Sequence, residues 1–122
     1  MDDLVPSEFY LFRNYPNPFK DKTTIKYCVA YNTKVRITVY NSEGKMIDKL
    51  VDEVKEAGTY EVKFSLSGRE KSVYSVSSVE NHLSGIDYPL SIPLFYRMKA
   101  GNYISEKKMI LIKKENTSVQ SK

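Results

Sequence analysis

Strict alternation of apolar and polar residues is the feature that most restricts what this chain can fold into. It runs through residues 23–31 and 34–40 and returns at 60–64 and 94–98. Successive side chains of a β-strand point to opposite faces, so a period of two predicts half-buried strands. The side chains predicted to face the core are Ile25, Tyr27, Val35, Ile37, Val39, Tyr60, Val62, Phe64, Tyr96 and Met98.

Turn residues separate these segments at short intervals. Asn and Gly, which tolerate positive φ, lie in the turns predicted at 41–44 and 100–102. A hairpin loop is predicted at Tyr31-Asn32-Thr33, between the first two strands. Weaker alternation at 46–51 allows a short strand, and a last strand is expected at 103–112. Because no segment has a helical period, the sequence predicts an all-β fold, an immunoglobulin-like antiparallel β-sandwich of about seven strands.

Length and composition restrict the function classes. A chain of 122 residues suits one domain of this fold, which needs about 100 residues. The formal net charge of +4 is spread over lysines that alternate with apolar residues, a pattern typical of solvated sheet faces rather than of a nucleic-acid surface. The single cysteine, Cys28, allows no internal disulfide, and one histidine, His82, leaves a His/Cys metal site short of ligands. We therefore expect no metal, no cofactor, no nucleic-acid partner and no membrane span.

The chain divides into a sandwich with two short flanks. We expect a flexible lead at 1–8, a β-sandwich at 9–114 with a long insertion around 67–93, and a flexible tail at 115–122. The acidic start lacks the basic and apolar regions of a signal peptide. It indicates a piece of a longer protein or a gene remnant.

Two candidate recognition features stand near the ends of the sandwich. Two prolines fix φ and remove two backbone donors in the loop of Tyr15, Pro16, Asn17, Pro18 and Phe19, so this segment is an ordered loop or an extended edge. It is either a rigid lid whose aromatic rings plug one end of the sandwich or a preset recognition element, which loses little entropy on binding. The second feature is basic, and its side chains either guard an edge strand against aggregation or contact an acidic partner: Lys107, Lys108, Lys113 and Lys114.

Catalytic chemistry is not indicated by any constellation in the chain. His82, Ser84 and Asp87 offer the residue types of a catalytic triad, but no nucleophile elbow or oxyanion-forming motif accompanies them. They are interpreted as part of a solvated loop, and we expect the chain not to be an enzyme.

Several segments, taken in order, resemble the C-terminal sorting domains of the type IX (Por) secretion system, type A. The resemblance covers residues 6–68 and 94–113 and implies an immunoglobulin-like sandwich. Residues 68–81 and 87–93 depart from it as extra material, and so does the continuation from 114 to 122. The segments that carry it are Asn14–Phe19, Thr23–Tyr27, Val35–Asn41 with Gly44-Lys45, Leu50-Val51, Ala57–Tyr60, Phe95–Met98, Ala100–Asn102 and Lys107–Lys113.

The resemblance also implies a function. The chain would be a non-catalytic C-terminal sorting signal that directs a cargo, fused to its N-terminal side, across the outer membrane. The implied partners are the outer-membrane translocon and a sortase-type protease, with passage through the periplasm and delivery to the cell surface or the medium. The alternative is a structural or adhesive immunoglobulin-like module on the cell surface, either hook-capping-like or carbohydrate-binding. A carbohydrate-binding module should expose a row of planar aromatic rings on one sheet face.

Overall fold

Two antiparallel sheets make up the part of the chain that the computed structural model describes, residues 6–68 and 90–113. A three-stranded sheet has the order β1-β2-β5, and a four-stranded sheet has the order β4-β3-β6-β7. This confirms the predicted all-β sandwich. The strands are β1 (Tyr10–Leu11), β2 (Lys22–Val29), β3 (Thr33–Asn41), β4 (Met46–Lys55), β5 (Gly58–Ser65), β6 (Leu90–Ala100) and β7 (Tyr103–Lys113).

The strand order is immunoglobulin-like. Strands β1, β2 and β5 take the places of A, B and E, while β3, β6 and β7 take those of C, F and G, and β4 extends the second sheet beside β3. The hairpin predicted at Tyr31-Asn32-Thr33 is therefore wrong, because β2 and β3 belong to different sheets and residues 30–32 cross between them. Alternation shows which face of a strand is buried, but two strands that face each other across a core alternate in the same way as two hydrogen-bonded neighbours.

The core lies between the sheets and contains most of the residues predicted for it. Tyr60 and Val62, which were also predicted to face the core, pack against it but are only partly buried. Both lie on β5, an edge strand of the smaller sheet, so they have a neighbouring strand on one side only. The predicted residues with an exposed fraction of 1% or less are Ile25, Tyr27, Val35, Ile37, Val39, Phe64, Tyr96 and Met98.

Strand β6 begins at Leu90, four residues before the alternation seen in the sequence. Pro93, at the end of the predicted insertion around 67–93, lies within the strand opposite Ile110 of β7. The N–H and C=O of Ile110 bond to Asn17 and Phe19 rather than to β6, so Pro93 and Ile110 form a non-hydrogen-bonded pair. The pairing of β6 with β3 ends at Leu94, so Pro93 has no partner on β3. The N–H that proline lacks therefore leaves no acceptor on a neighbouring strand without its hydrogen bond.

Tyr96 joins the two layers. Its buried hydroxyl donates to the carbonyl of Phe12, just after β1, at 2.8 Å. Burial raises the pKa of Tyr96 to about 12 from 10.0, an effect that the backbone of Asn14 and the charge of Arg13 oppose. The neutral phenol is thus the form that the folded state favours.

We expect Tyr96→Phe to lower the free energy of unfolding near neutral pH by about 1 kcal/mol, because the hydrogen bond to Phe12 is lost. The stability that Tyr96 contributes is fully present below pH 10.0 and is lost as the pH rises through about 12. The stability curves of the two proteins should therefore converge above pH 10.0. Urea unfolding across this range tests the expectation, with Tyr15→Phe at an exposed position as control. Parallel curves would show that Tyr96 does not titrate with folding.

Candidate recognition surface

A buried polar network holds the proline loop in shape. Asn14 and Thr23 are 3% and 2% exposed. The Asn14 Nδ2 donates to Thr23 Oγ1 at 3.0 Å and to the carbonyl of Pro16 at 3.2 Å, and Thr23 Oγ1 donates to the same carbonyl at 2.8 Å. Beside them, the backbones of Tyr15 and Thr24 exchange two hydrogen bonds of 2.9 Å each. These contacts tie the start of the loop to β2.

The end of the loop is bound to the edge of β7. The N–H of Phe19 donates to the carbonyl of Ile110 at 2.9 Å, and the N–H of Ile112 donates to the carbonyl of Phe19 at 2.8 Å. The Asn17 Oδ1 accepts from the N–H of Ile110 at 2.9 Å. The Phe19 ring is 1% exposed and meets Phe64 edge to face, with centroids 6.1 Å apart. The loop thus covers the outer edge of β7 at residues 110 and 112.

The two aromatic rings of the loop have opposite roles. Phe19 fills the core, as the lid interpretation requires, whereas Tyr15 is 79% exposed and plugs nothing. Its backbone is fixed by Thr24 while its ring stands in solvent. A large exposed ring on an immobilised backbone is a feature typical of recognition elements, because little entropy remains to be lost on binding.

The candidate lysines Lys107 and Lys108 lie on the same edge strand, but not on one face. Lys107 shares a parity with the buried residues Met109 and Leu111 and is half-buried, while Lys108 projects to the outer face and is exposed. Lys113 belongs to β7 by its backbone. The side chain of Lys113, and all of Lys114, lie outside the described residues. Lys107 and Lys108 therefore flank an edge rather than forming a flat patch.

The structure brings the two candidate features together. Asn17 and Ile110 are 93 positions apart in the sequence, yet they are in direct contact, and Lys108 is two residues from that contact. We call the exposed part of Tyr15–Phe19 together with Lys107 and Lys108 of β7 the loop–β7 surface. Sequence reasoning treated its halves as separate features, because alternation carries no information on which loop covers which edge.

Sequence reasoning also missed Asn14 and Thr23, which order the loop. One signal was present, because Thr23 has the same parity as Ile25 and Tyr27 and so points inward. A hydroxyl on a core face requires a hydrogen-bond partner. Such a partner is found in the nearest irregular segment, here the carbonyl of Pro16.

Other candidate chemistry gives no site among the described residues. His82, Ser84 and Asp87 fall outside the described ranges. Within those ranges no group of three or more His, Cys, Asp or Glu side chains is placed to hold a metal ion. Cys28 is half-buried, with its Sγ 3.7 Å from Thr59 Oγ1. Residues 6–68 and 90–113 contain no helix that is long and apolar enough to cross a bilayer.

These features define a small immunoglobulin-like β-sandwich module with an ordered loop and an edge strand presented together. A scan against protein families gives the more specific result, a match of residues 13–85 to the secretion system C-terminal sorting domain. The chain belongs to this family, and it is a C-terminal sorting signal for type IX secretion. A search of curated proteins finds no match, and a search of solved structures finds none either.

Family membership fixes the setting in which the module acts. A sorting domain of this kind is fused to a cargo, engages the type IX secretion machinery and is exported to the cell surface or the extracellular space. The family suggests a non-enzymatic role. The matched range begins just before the proline loop and ends at residue 85, so it includes one half of the loop–β7 surface and not the other.

Proposed function

We propose that the outer-membrane translocon recognises the folded sandwich at the loop–β7 surface. The observation that carries the proposal is the pair of backbone hydrogen bonds between Phe19 and β7, with the Asn17 side chain adding a third to the N–H of Ile110. They lock the loop to the edge strand, so that the exposed Tyr15 ring and the lysines of β7 keep a fixed relation only while the sandwich is folded. A translocon that binds this surface therefore binds the domain only when it is folded.

The charges of β7 suit a partner that approaches the edge. Lys107 and Lys108 extend on opposite sides of the strand, so a groove that accepts the edge meets a cation on each wall. Lys113 and Lys114 extend the same sequence of cations. An acidic groove on the translocon would match them, and charge pairs of this kind act mainly on the rate of encounter and on specificity.

In this proposal the sorting domain comprises a lead at 1–8, a sandwich at 9–114 with an insertion around 67–93, and a tail at 115–122. It folds in the periplasm, is recognised there by the translocon, and acts without catalysis of its own. A sortase-type protease then separates the cargo from the sorting domain.

The adhesive alternative finds less support. Tyr10 and Phe12 do lie side by side near the smaller sheet, with centroids 4.7 Å apart, but their planes are inclined by 80° and form no flat platform. The Lys26 Nζ also lies over the Phe12 ring, 5.0 Å from its centroid. A sugar ring stacks best on a free, flat aromatic face, so this pair does not make a carbohydrate-binding row.

Charge removal on β7 tests the proposed surface. In a fusion behind a reporter, replacing Lys107, Lys108, Lys113 and Lys114 with glutamine should lower the export rate at least tenfold while the unfolding midpoint changes little, because exposed cations add little to stability. Tyr15→Ala should also reduce export without unfolding the domain. The matched control replaces lysines on other elements with glutamine and should be exported normally: Lys22, Lys26, Lys45 and Lys63.

If the quadruple glutamine variant is folded and is exported at the rate of the parent, the lysines act only as edge guards. The contact would then have to be sought elsewhere on the sandwich. A result in which both quadruple variants fail equally would show a requirement for net positive charge rather than for this surface.

A further inference from the structure

The outer face of the four-stranded sheet carries a second group of charges, distinct from the loop–β7 surface. Arg36 on β3 lies directly opposite Asp52 on β4 and, on its other side, opposite Lys99 on β6. The Asp52 carboxylate accepts hydrogen bonds from Lys49 Nζ at 3.2 Å and from Arg36 Nε at 3.4 Å, and it forms an ion pair with Lys34 Nζ at 3.5 Å. Three cations thus surround one carboxylate, and a fourth, Lys99, lies opposite Arg36. We call Lys34, Arg36, Lys49, Lys99 and Asp52 the basic face.

The charges of the basic face are not balanced within the described part of the chain. Asp52 is shared by three cations, and in residues 6–68 and 90–113 no ion pair is formed by Lys99. Arg36 and Lys99 stand opposite each other across β3 and β6, a placement of like charges that disfavours folding. The hydrogen bond from Lys49, with the nearby charge of Lys34, lowers the pKa of Asp52 from its usual 3.8, as a positive field requires. An anionic partner would relieve this repulsion.

Exposed aliphatic side chains lie at both edges of the basic face. Ile104 on β7 is opposite Lys99 and is 60% exposed. Val54 on β4 is opposite Lys34 and is 67% exposed. An open pocket of about 280 Å³ lies between them, lined in part by Lys34, Arg36 and Lys99. The surface is therefore cationic in the middle and apolar at its two edges.

The combination of central cations and exposed aliphatic side chains favours one class of anionic partner over others. A polysaccharide or a phosphate polymer can pair with the cations, but it brings no aliphatic groups to cover Ile104 and Val54. A protein surface brings both carboxylates and aliphatic side chains. The guanidinium of Arg36 can hold a carboxylate by two parallel hydrogen bonds, and arginine is enriched at protein interfaces for that reason.

We propose that the basic face docks an acidic protein surface, whose carboxylates pair with Arg36 and Lys99 and whose aliphatic side chains cover Ile104 and Val54. This second contact goes beyond the loop–β7 surface, since it uses the face of the sheet rather than its edge. It rests on the proposed function only for its setting, a folded domain in the cell envelope. Association through it should weaken as salt rises, because exposed charges are screened.

Photo-crosslinking in cells tests the proposal. The full chain is fused behind a reporter in a host with a type IX system, with p-benzoylphenylalanine in place of Ile104. The control carries it in place of Lys63, an exposed position on the smaller sheet. We expect position 104 to give a protein adduct through a peptide rich in Asp and Glu. The adduct should fall at least tenfold when Lys34, Arg36 and Lys99 are all replaced with glutamine, and should persist when Lys22, Lys26 and Lys45 are replaced instead.

Three results would overturn the proposal: an adduct no stronger than at position 63, an adduct that survives neutralisation of the basic face, or an adduct to a glycolipid or polysaccharide. Surface display of the unmodified fusion is scored in the same cells. Failure of display contradicts the sorting role, whereas normal display with no basic-face adduct contradicts the docking proposal alone.

Discussion

Replacing Phe64 with alanine should lower the free energy of unfolding by about 3–5 kcal/mol. The ring is fully buried on β5, opposite Thr23 of β2. Its removal takes away apolar burial and leaves a cavity that the surrounding strands fill only in part. The cavity also lies under the proline loop, because Phe19 packs edge to face on Phe64. A loss of this size is a large part of the stability of a small domain, about 5–15 kcal/mol.

Chemical denaturation of the two proteins measures the effect, with Val62→Ala on the same strand as the matched control. Val62 is only partly buried, so its truncation should cost about 1 kcal/mol. A loss below about 1 kcal/mol for Phe64→Ala would place Phe64 outside the core. It would also show that packing against Phe64 does not stabilise the proline loop.

The strands and their buried faces were predictable because alternation is a local property. The inward residues of β2, β3 and β6 follow from the period of two alone, and the turn before Lys45 follows from its residue types. There the Asn41 Oδ1 accepts from the N–H groups of Glu43 and Lys45, and Gly44 has φ 85°. Each of these features depends on residues within a few positions of one another.

What was not predictable depends on contacts between distant segments. The assignment of β2 and β3 to different sheets, and the partial exposure of Tyr60 and Val62 on an edge strand, follow from the order of strands in each sheet. The contact of Asn17 with Ile110 joins two segments whose own sequences show no sign of each other. Likewise, the basic face combines residues of three strands, and each of its cations alone resembles an ordinary solvated lysine or arginine.

Export of a fused reporter should change from none to efficient when this chain is attached. In the proposal the translocon reads a folded surface, so the effect should depend on folding as well as on sequence. A fusion with Phe64→Ala, assayed at a temperature where the isolated variant is unfolded, should stay in the periplasm although all residues of the loop–β7 surface are present. At a temperature where the variant is folded, its export should return. Export of the unfolded variant would indicate recognition of a linear signal.

The sorting role itself is tested most directly by the location of a reporter fused to the unmodified chain. Reporter activity is measured in the periplasm, at the cell surface and in the medium of a host with a type IX system and of the same host without its translocon. We predict surface or medium activity in the first host and periplasmic activity in the second. Retention of the unmodified fusion in the periplasm of the competent host would contradict the account.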